Sequence, residues 1–399
     1  MTERLYYTDS YTRTFDAVVT RAFEHDGRPA VALDRTAFYP TSGGQPFDTG
    51  RLGAAEVVET VNAGEEVVHL LSSPLASGVH VAGEIDWTRR FDHMQQHTGQ
   101  HVLSAAFDRL FDNRTVGFHM GAETSTIDLA RELAAADVER TVDEANRIVW
   151  ENRPVSIRFA SRAEAEALPL RKETVREGTL RLIDVTGFDL SACGGTHVDR
   201  TGTIGMIVVP GTERLRGGMR LTFACGGRAL RALRTYRDAV AGSVRALSVL
   251  PAELPAAVER ALADAKDLRK RVKGLQEKLA VHEAAALVEA APENGGVRLV
   301  VSVLEGWDAA GLKASAAAAT ASGRACVALL SAAAPSAIVI ARSADVPGDA
   351  NALLRRLTER FGGRGGGKPD LAQGGGLTGA PDEVASAARA LIEDAVRRG

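Results

Sequence analysis

Over the first 88 residues, apolar and polar positions come in short runs such as FDAVVTRAFE, PAVALDR and VVHLL, separated by Gly, Asp, Pro and Asn. Short runs bounded by turn formers predict strands, and several strands in so short a span predict a small β-barrel. The main interruption, FYPTSGGQPFDTG (Phe38 to Gly50), is too rich in Gly and Pro for a strand interior. It is predicted to be a loop whose backbone amides are free to meet a ligand. From Phe91 the period lengthens. Leu103, Ala106, Phe107, Leu110 and Phe111 make one helical stripe, bordered by His97 and His101. GFHMGAETSTIDLA then reads as a strand or hairpin arm, and ARELAAADVERTVDEANRIVWENRP as an amphipathic helix ended by Pro154. VSIRFAS, TLRLIDV, IGMIVVP and RLTFACG follow as strands, with a polar helix around SRAEAEALPL, so residues 89 to about 230 form an α/β layer structure.

Between 236 and 292 the composition turns to Ala, Leu, Lys, Arg and Glu. Leu254, Val258, Ala261, Ala265, Leu268, Val272, Leu275 and Leu279 alternate steps of three and four, a heptad seam with charged flanks. The seam suits either one arm of a helical hairpin or a dimerisation rod. From 293 to 399, VRLVVSVLEG, ACVALLSAAA and SAIVIARS read as buried strands alternating with helices, DANALLRRLTERFG among them. Within this separate α/β domain, FGGRGGGKPDLAQGGGL is expected to be irregular, its glycines exposing backbone N–H groups beside Arg364 and Lys368. The fold class is thus α+β multidomain.

Composition narrows the function classes. A net charge of -3 and few aromatics argue against a protein that coats nucleic acid by bulk charge or base stacking, while leaving room for local basic patches. There is no apolar run of membrane-spanning length and no signal-like N-terminus, so a cytoplasmic location and no membrane contact are expected. Three widely spaced cysteines do not make a disulfide framework.

The chemistry concentrates in two short motifs. His97 and His101 in HTGQH lie four apart on one helix, so both imidazoles project from one face. Cys193 and His197 in CGGTH offer a thiolate and a third imidazole, with two glycines letting the backbone turn tightly. Three nitrogens and a sulfur suit one Zn²⁺ per chain in tetrahedral geometry. Cys225 and Cys326 have no histidine at ligand spacing and read as inert buried thiols. Four protein ligands are the mark of a structural zinc, whereas a catalytic zinc keeps a position open.

DHMQQHTGQHVLSAAF, FHMGAETSTIDL and CGGTHV resemble the editing core of the alanyl-tRNA editing proteins of AlaX type, shared with alanyl-tRNA synthetase and related to that of threonyl-tRNA synthetase. FYPTSGGQPFDTG is similar to the glycine-rich motif of the same family's barrel, and the heptad helix with GGGKPDLAQGGG to the DHH-associated C-terminal domain of alanyl-tRNA synthetase. The resemblance implies a β-barrel over 1–88, a zinc-binding editing core over 89–235, a coiled-coil-like linker over 236–292 and a glycine-rich tRNA-binding domain over 293–399. Because editing-type sequence begins within the first residues, a free-standing, long-form editing protein is expected rather than a synthetase.

It further implies ATP-independent hydrolysis of tRNA(Ala) mischarged with serine, with glycine as a second candidate. A site selecting alanine rejects these two poorly, so a second sieve is physically sensible. His97, His101, Cys193 and His197 are then the metal ligands and catalytic residues. Thr36 would recognise the serine hydroxyl, and Gly43, Gly44 and Gln45 would line the pocket. His119 is a candidate for contact with substrate or the tRNA end, with a core or turn role as the alternative. Arg355, Arg356, Arg360, Arg364 and Lys368 would contact phosphates at the tRNA elbow, with a plain solvated face as the alternative. A homodimer through the linker helix or the C-terminal domain is also expected. The competing reading is a noncatalytic tRNA-binding protein with a structural zinc.

Overall fold

The computed structural model describes residues 1–171 and 178–398, which fall into two compact units, 1–242 and 243–399. The first unit begins with six strands: β1 (Thr14–His25), β2 (Arg28–Leu33), β3 (Gly50–Leu52), β4 (Ala55–Ala63), β5 (Glu66–Leu71) and β6 (His80–Ile85). They hydrogen-bond in the order β1-β2-β5-β4-β3-β6 and close into a barrel, because β1 is long enough to serve two neighbours. Its first half pairs with β6, from Thr14↔Glu84 to Val18↔His80, and its second half with β2. In β6 every second residue is buried, as a strand with one face on a core requires. Val19, Leu33, Phe38, Leu52, Val57 and Leu71 fill the interior. The segment between Thr36 and Gly50 is a loop with only the isolated Ser42–Gln45 bridge.

Asp86 follows, its carboxylate accepting from the Arg89 amide at 3.1 Å and so capping helix α1 (Trp87–Phe111). Beyond it lie β7 (Thr115–Met120), β8 (Ser125–Leu129), α2 (Ala135–Trp150), β9 (Val155–Ala160) and a short α3 (Arg162–Glu166). After α3 come β10 (Leu180–Val185), β11 (Asp189–Ala192), β12 (Ile207–Leu215), β13 (Gly218–Cys225) and α4 (Gly226–Leu247). One sheet has the order β12-β13-β8-β7 and a second has β9-β10-β11. Met94, Leu103 and Phe107 of α1 share a core with Ile148 of α2 and with Leu221 and Phe223 of β13. The helix is therefore buried on nearly every side, which is unusual for a sequence so rich in His and Gln and calls for partners for each polar group.

The second unit contains α5 (Leu254–Ala290), β14 (Val297–Leu304), α6 (Ala309–Ala321), β15 (Ala325–Ser331), β16 (Ser336–Arg342), α7 (Ala350–Phe361), β17 (Arg364–Gly367), β18 (Leu371–Leu377) and α8 (Pro381–Arg398). Its sheet runs β14-β15-β16-β18-β17, with the short Glu293–Asn294 strand on the β14 edge. Only β14 and β15 are parallel, joined across α6. The strand period sorts its residues between two cores. Val327 and Leu329 face α5 and α6, while Cys326, Ala328 and Leu330 face α7 and α8.

One expectation changes here. The glycine-rich segment is not irregular: Arg364–Gly367 and Leu371–Leu377 pair as an antiparallel hairpin. Its glycines permit close strands, since a Cβ at Gly365 would sit 2.5 Å from the Gln373 carbonyl oxygen and 2.9 Å from the Leu354 side chain. The heptad seam of α5 is solvent-facing within this chain, with Leu268, Val272 and Leu275 all at least 51% exposed. The helix is anchored instead near its end by Ala280 and Ala284, whose small side chains sit in the same core as α6.

Candidate metal centre and active site

The two motifs meet. His97, His101, Cys193 and His197 present ligand atoms that all lie within 4.8 Å of one another, and no other such group is found among the described residues. The Cys193 sulfur is 3.4 Å from Nε2 of both His97 and His197. All three imidazoles are held through the opposite nitrogen. His97 Nδ1 lies 2.7 Å from Gln45 Oε1, His101 Nδ1 3.0 Å from Asp189 Oδ2, and His197 Nδ1 3.1 Å from Thr98 Oγ1. With Nδ1–H donating to oxygen, each Nε2 lone pair faces the centre, which is how proteins orient histidine for a metal ion.

These supports explain residue types in both motifs. Thr98 also accepts the Val198 amide at 3.1 Å, tying the loop after CGGTH to α1. Gly99 lets α1 rest on β13, where a Cβ would overlap the Cys225 sulfur. A Cβ on Gly195 would overlap His97, whereas one on Gly194 would meet nothing nearer than 3.8 Å. Across the cluster, Phe118 stacks on His97 with ring centroids 5.4 Å apart.

The electrostatics fit a cation. Burial opposes the Cys193 thiolate, yet the imidazoles of His97 and His197 and hydrogen bonds from His101 and His197 hold its pKa well below the usual thiol value. Burial likewise disfavours charge on His101, but its hydrogen bonds to Asp189 and Cys193 raise it to about 9. Asp189 in turn is disfavoured as an anion by burial, but His101 and Arg171 hold its carboxyl below the usual range. Arg171 donates to it at 2.7 Å and the Ser191 hydroxyl at 3.0 Å.

The glycine-rich loop reaches the cluster through Gln45. Gly43 and Gly44 both adopt positive φ (57° and 86°) in a tight turn closed by reciprocal Ser42–Gln45 backbone hydrogen bonds. Gln45, fully buried, accepts from the Thr196 amide and donates to the Thr196 hydroxyl at 2.8 Å, so one side chain braces both His97 and CGGTH. The loop is clamped to α1 by Arg90, fully buried, which bonds Asp48 and the Ser10 and Ala37 carbonyls.

A cavity of about 790 Å³ opens on the cluster. Among the described residues, its wall includes Gly43, His97, His101 and Cys193, but neither Gly44, Gln45, Thr36, His119 nor His197. Gly44 packs on Phe118 instead, and His119 is exposed on β7. Thr36 is fully buried in the barrel, with its hydroxyl 2.8 Å from His69 Nε2 and accepting the Phe38 amide at 3.1 Å. In the second unit, Arg355, Arg356 and Arg360 are exposed on α7, as are Arg364 and Lys368 on the glycine hairpin. Sequence reasoning missed Thr98, Asp189, Phe118 and Arg181. The only available signal was that each lies beside a motif residue or on a predicted strand.

The family model of the threonyl and alanyl tRNA synthetase second additional domain matches residues 180–221, and that of the DHHA1 domain matches 296–397. The chain is 38% identical over 94% of its length to an alanine–tRNA ligase of Natronomonas pharaonis, spanning 42% of that protein. It thus spans about two fifths of the length of the ligases it matches. It is 31% identical to the alanyl-tRNA editing protein AlaX-L of Pyrococcus horikoshii, with 94% of each chain covered. The chain belongs to this alanyl-tRNA editing family of long AlaX form. A crystal structure of the C-Ala domain from Aquifex aeolicus alanyl-tRNA synthetase is 28% identical over 25% of this chain and 96% of that one, with a TM-score of 0.23. No helix among the described residues is long and apolar enough to cross a membrane.

Proposed function

We propose that the chain is an aminoacyl-tRNA hydrolase that removes serine, and glycine as a second substrate, from mischarged tRNA(Ala) in trans. The observation that carries the reading is the cavity whose wall meets His97, His101 and Cys193, three members of the anchored four-residue cluster that His197 completes from behind the wall. The donor set and the 3.4 Å sulfur–nitrogen spacings support zinc, for which tetrahedral bonds give ligand–ligand edges of about 3.5 Å. Bound there, zinc would supply a Lewis acid beside the ester.

The chain's own residues do the rest. Gln45, Asp189 and Thr98 fix the three imidazoles, and Phe118 shields one face of His97 from water. Among the described residues no carboxylate lines the cavity, so none of them stands ready there as general base. The reaction then rests on an already reactive aminoacyl ester, on positioning and on stabilisation of the developing oxyanion. Thr36 is the proposed reader of serine; being fully buried and outside the cavity wall, it can act so only if the barrel opens to it when substrate binds. His69 Nδ1 faces the Val31 carbonyl oxygen and must carry a proton, so Nε2 accepts the Thr36 hydroxyl proton. With one lone pair taken by the Phe38 amide, Thr36 keeps one acceptor site, and a serine hydroxyl would have to donate to it.

The exposed Arg355, Arg356, Arg360, Arg364 and Lys368 support tRNA contact by the second unit. The exposed seam of α5 supports association of two copies, which sedimentation checks. Four closed ligands also favour a second reading, a tRNA-binding protein with structural zinc. The deciding experiment incubates the protein with Ser-tRNA(Ala), Gly-tRNA(Ala) and Ala-tRNA(Ala). Loss of serine with alanine retained is expected, and Cys193→Ala should abolish it while the second unit stays folded. Persistence of all three esters would refute hydrolysis and leave the structural reading.

A further inference from the structure

Arg181, on β10, is 92% buried by its 8% exposure, and lines the cavity beside the cluster. Its guanidinium donates to the Tyr7 carbonyl oxygen at 2.8 Å and the Cys193 carbonyl oxygen at 2.6 Å, while Nη2 has no hydrogen-bond partner. No described carboxylate forms an ion pair with it, although a buried unpaired charge is among the most costly features a fold can hold.

A second cation stands on the same wall. Arg4 donates to the Tyr7 hydroxyl at 3.3 Å and to Asn62 and Gly64, again with no carboxylate among the described residues. The Tyr7 ring is shared between them, both guanidinium carbons lying 5.7 Å from its centroid. Among the described residues, then, a chain of net charge -3 pairs neither Arg4 nor Arg181 with a carboxylate and puts no acidic side chain in the cavity wall. Backbone carbonyls orient these guanidinium groups but neutralise neither. What completes such a site is an anion small enough to reach the wall, and a phosphate matches the guanidinium fork.

We propose that Arg181 and Arg4, braced by Tyr7, seat the phosphate on the 5′ side of the terminal nucleotide of an RNA acceptor end, placing its ribose ester toward the cluster. This rests on the hydrolase reading for the identity of the ester, but not for the phosphate. The phosphate, rather than the amino acid, then supplies the binding energy common to every substrate.

Calorimetric titration of the zinc-loaded protein with adenosine 5′-monophosphate and with adenosine tests it without any hydrolysis. The monophosphate is expected to bind at least about tenfold more tightly, as a charge-assisted contact warrants. Arg181→Gln should erase that preference. If Arg181→Gln fails to give a cooperative thermal transition, Arg4→Gln, at a part-exposed position, should still reduce the preference severalfold. Equal affinities in the wild type, or a preference undiminished in both variants, would overturn the proposal. So would an Arg181→Gln variant that weakens adenosine as much as the monophosphate. Failure of the protein to deacylate Ser-tRNA(Ala) would sink the hydrolase reading while leaving this titration decisive.

Discussion

The two glycines of CGGTH look interchangeable in sequence, yet the structure gives them opposite expected responses to a methyl group. A Cβ on Gly195 would fall closer than about 2.5 Å to Cε1 and Nδ1 of His97, and 2.8 Å from Gln45 Oε1. Ordinary carbon contacts begin near about 3.5 Å, so the imidazole must retreat by roughly 1 Å. It has little freedom to do so, being bonded to Gln45 at 2.7 Å and stacked on Phe118. Metal–ligand distances tolerate only about 0.2 Å. Gly195→Ala should therefore lose one ligand as well as its brace, where loss of a brace alone typically lowers affinity by about 10–100-fold. A fall in zinc affinity of at least about 100-fold, near 2.8 kcal/mol at about 1.4 kcal/mol per decade, is expected. Competition against a chromophoric chelator reads it directly. Gly194→Ala is the control, because its Cβ meets nothing nearer than the Tyr7 hydroxyl at 3.8 Å and it should keep wild-type zinc content. Wild-type zinc affinity in Gly195→Ala would refute the geometry on which this reasoning stands.

Removing Arg90 should leave Asp48 charged and buried, so Arg90→Met should cost about 3–5 kcal/mol in urea unfolding, with much of the loss recovered in Arg90→Met/Asp48→Leu. Burial lowers His69 to about 4. Its depressed folded value means the stability it contributes is complete above pH 6.5 and is lost as pH falls through about 4, by at most about 3.4 kcal/mol at about 1.36 kcal/mol per unit. A wild-type melting temperature that falls no more steeply over this range than that of His69→Gln would contradict this. Replacing Arg355, Arg356 and Arg360 with Gln should weaken tRNA binding and flatten its dependence on log salt by about 0.7–0.9 per lost contact, and an unchanged slope would show that these arginines touch no phosphate.

Much of the metal cluster was legible because its ligands obey local rules. Two histidines four apart on a helix must share a face, and Cys193 and His197 lie four residues apart on a segment whose two glycines let the backbone bend. Strands and helices of the second unit were legible for the same reason, their apolar periods following the two faces of one sheet. Gln45 illustrates the opposite case. Its sequence placed it in a loop, where pocket lining was the natural expectation, but its contacts are with His97 and Thr196, 52 and 151 residues away.

The glycine hairpin was unreadable on similar grounds. Glycine carries no strand preference of its own, and the pairing of Arg364–Gly367 with Leu371–Leu377 depends on β16 and α7 being present to receive it. The seam of α5 shows the limit from the other direction, since a heptad reports an apolar stripe without saying what covers it. The sequence by itself determined the donor types, their local spacing and the strand and helix periods, because these depend on neighbours within a few residues. Tertiary structure alone decided which nitrogen of each histidine faces inward, which glycine must stay a glycine, and that Arg181 meets a cavity instead of a carboxylate. Those outcomes depend on contacts between segments whose distance in sequence leaves no periodic trace.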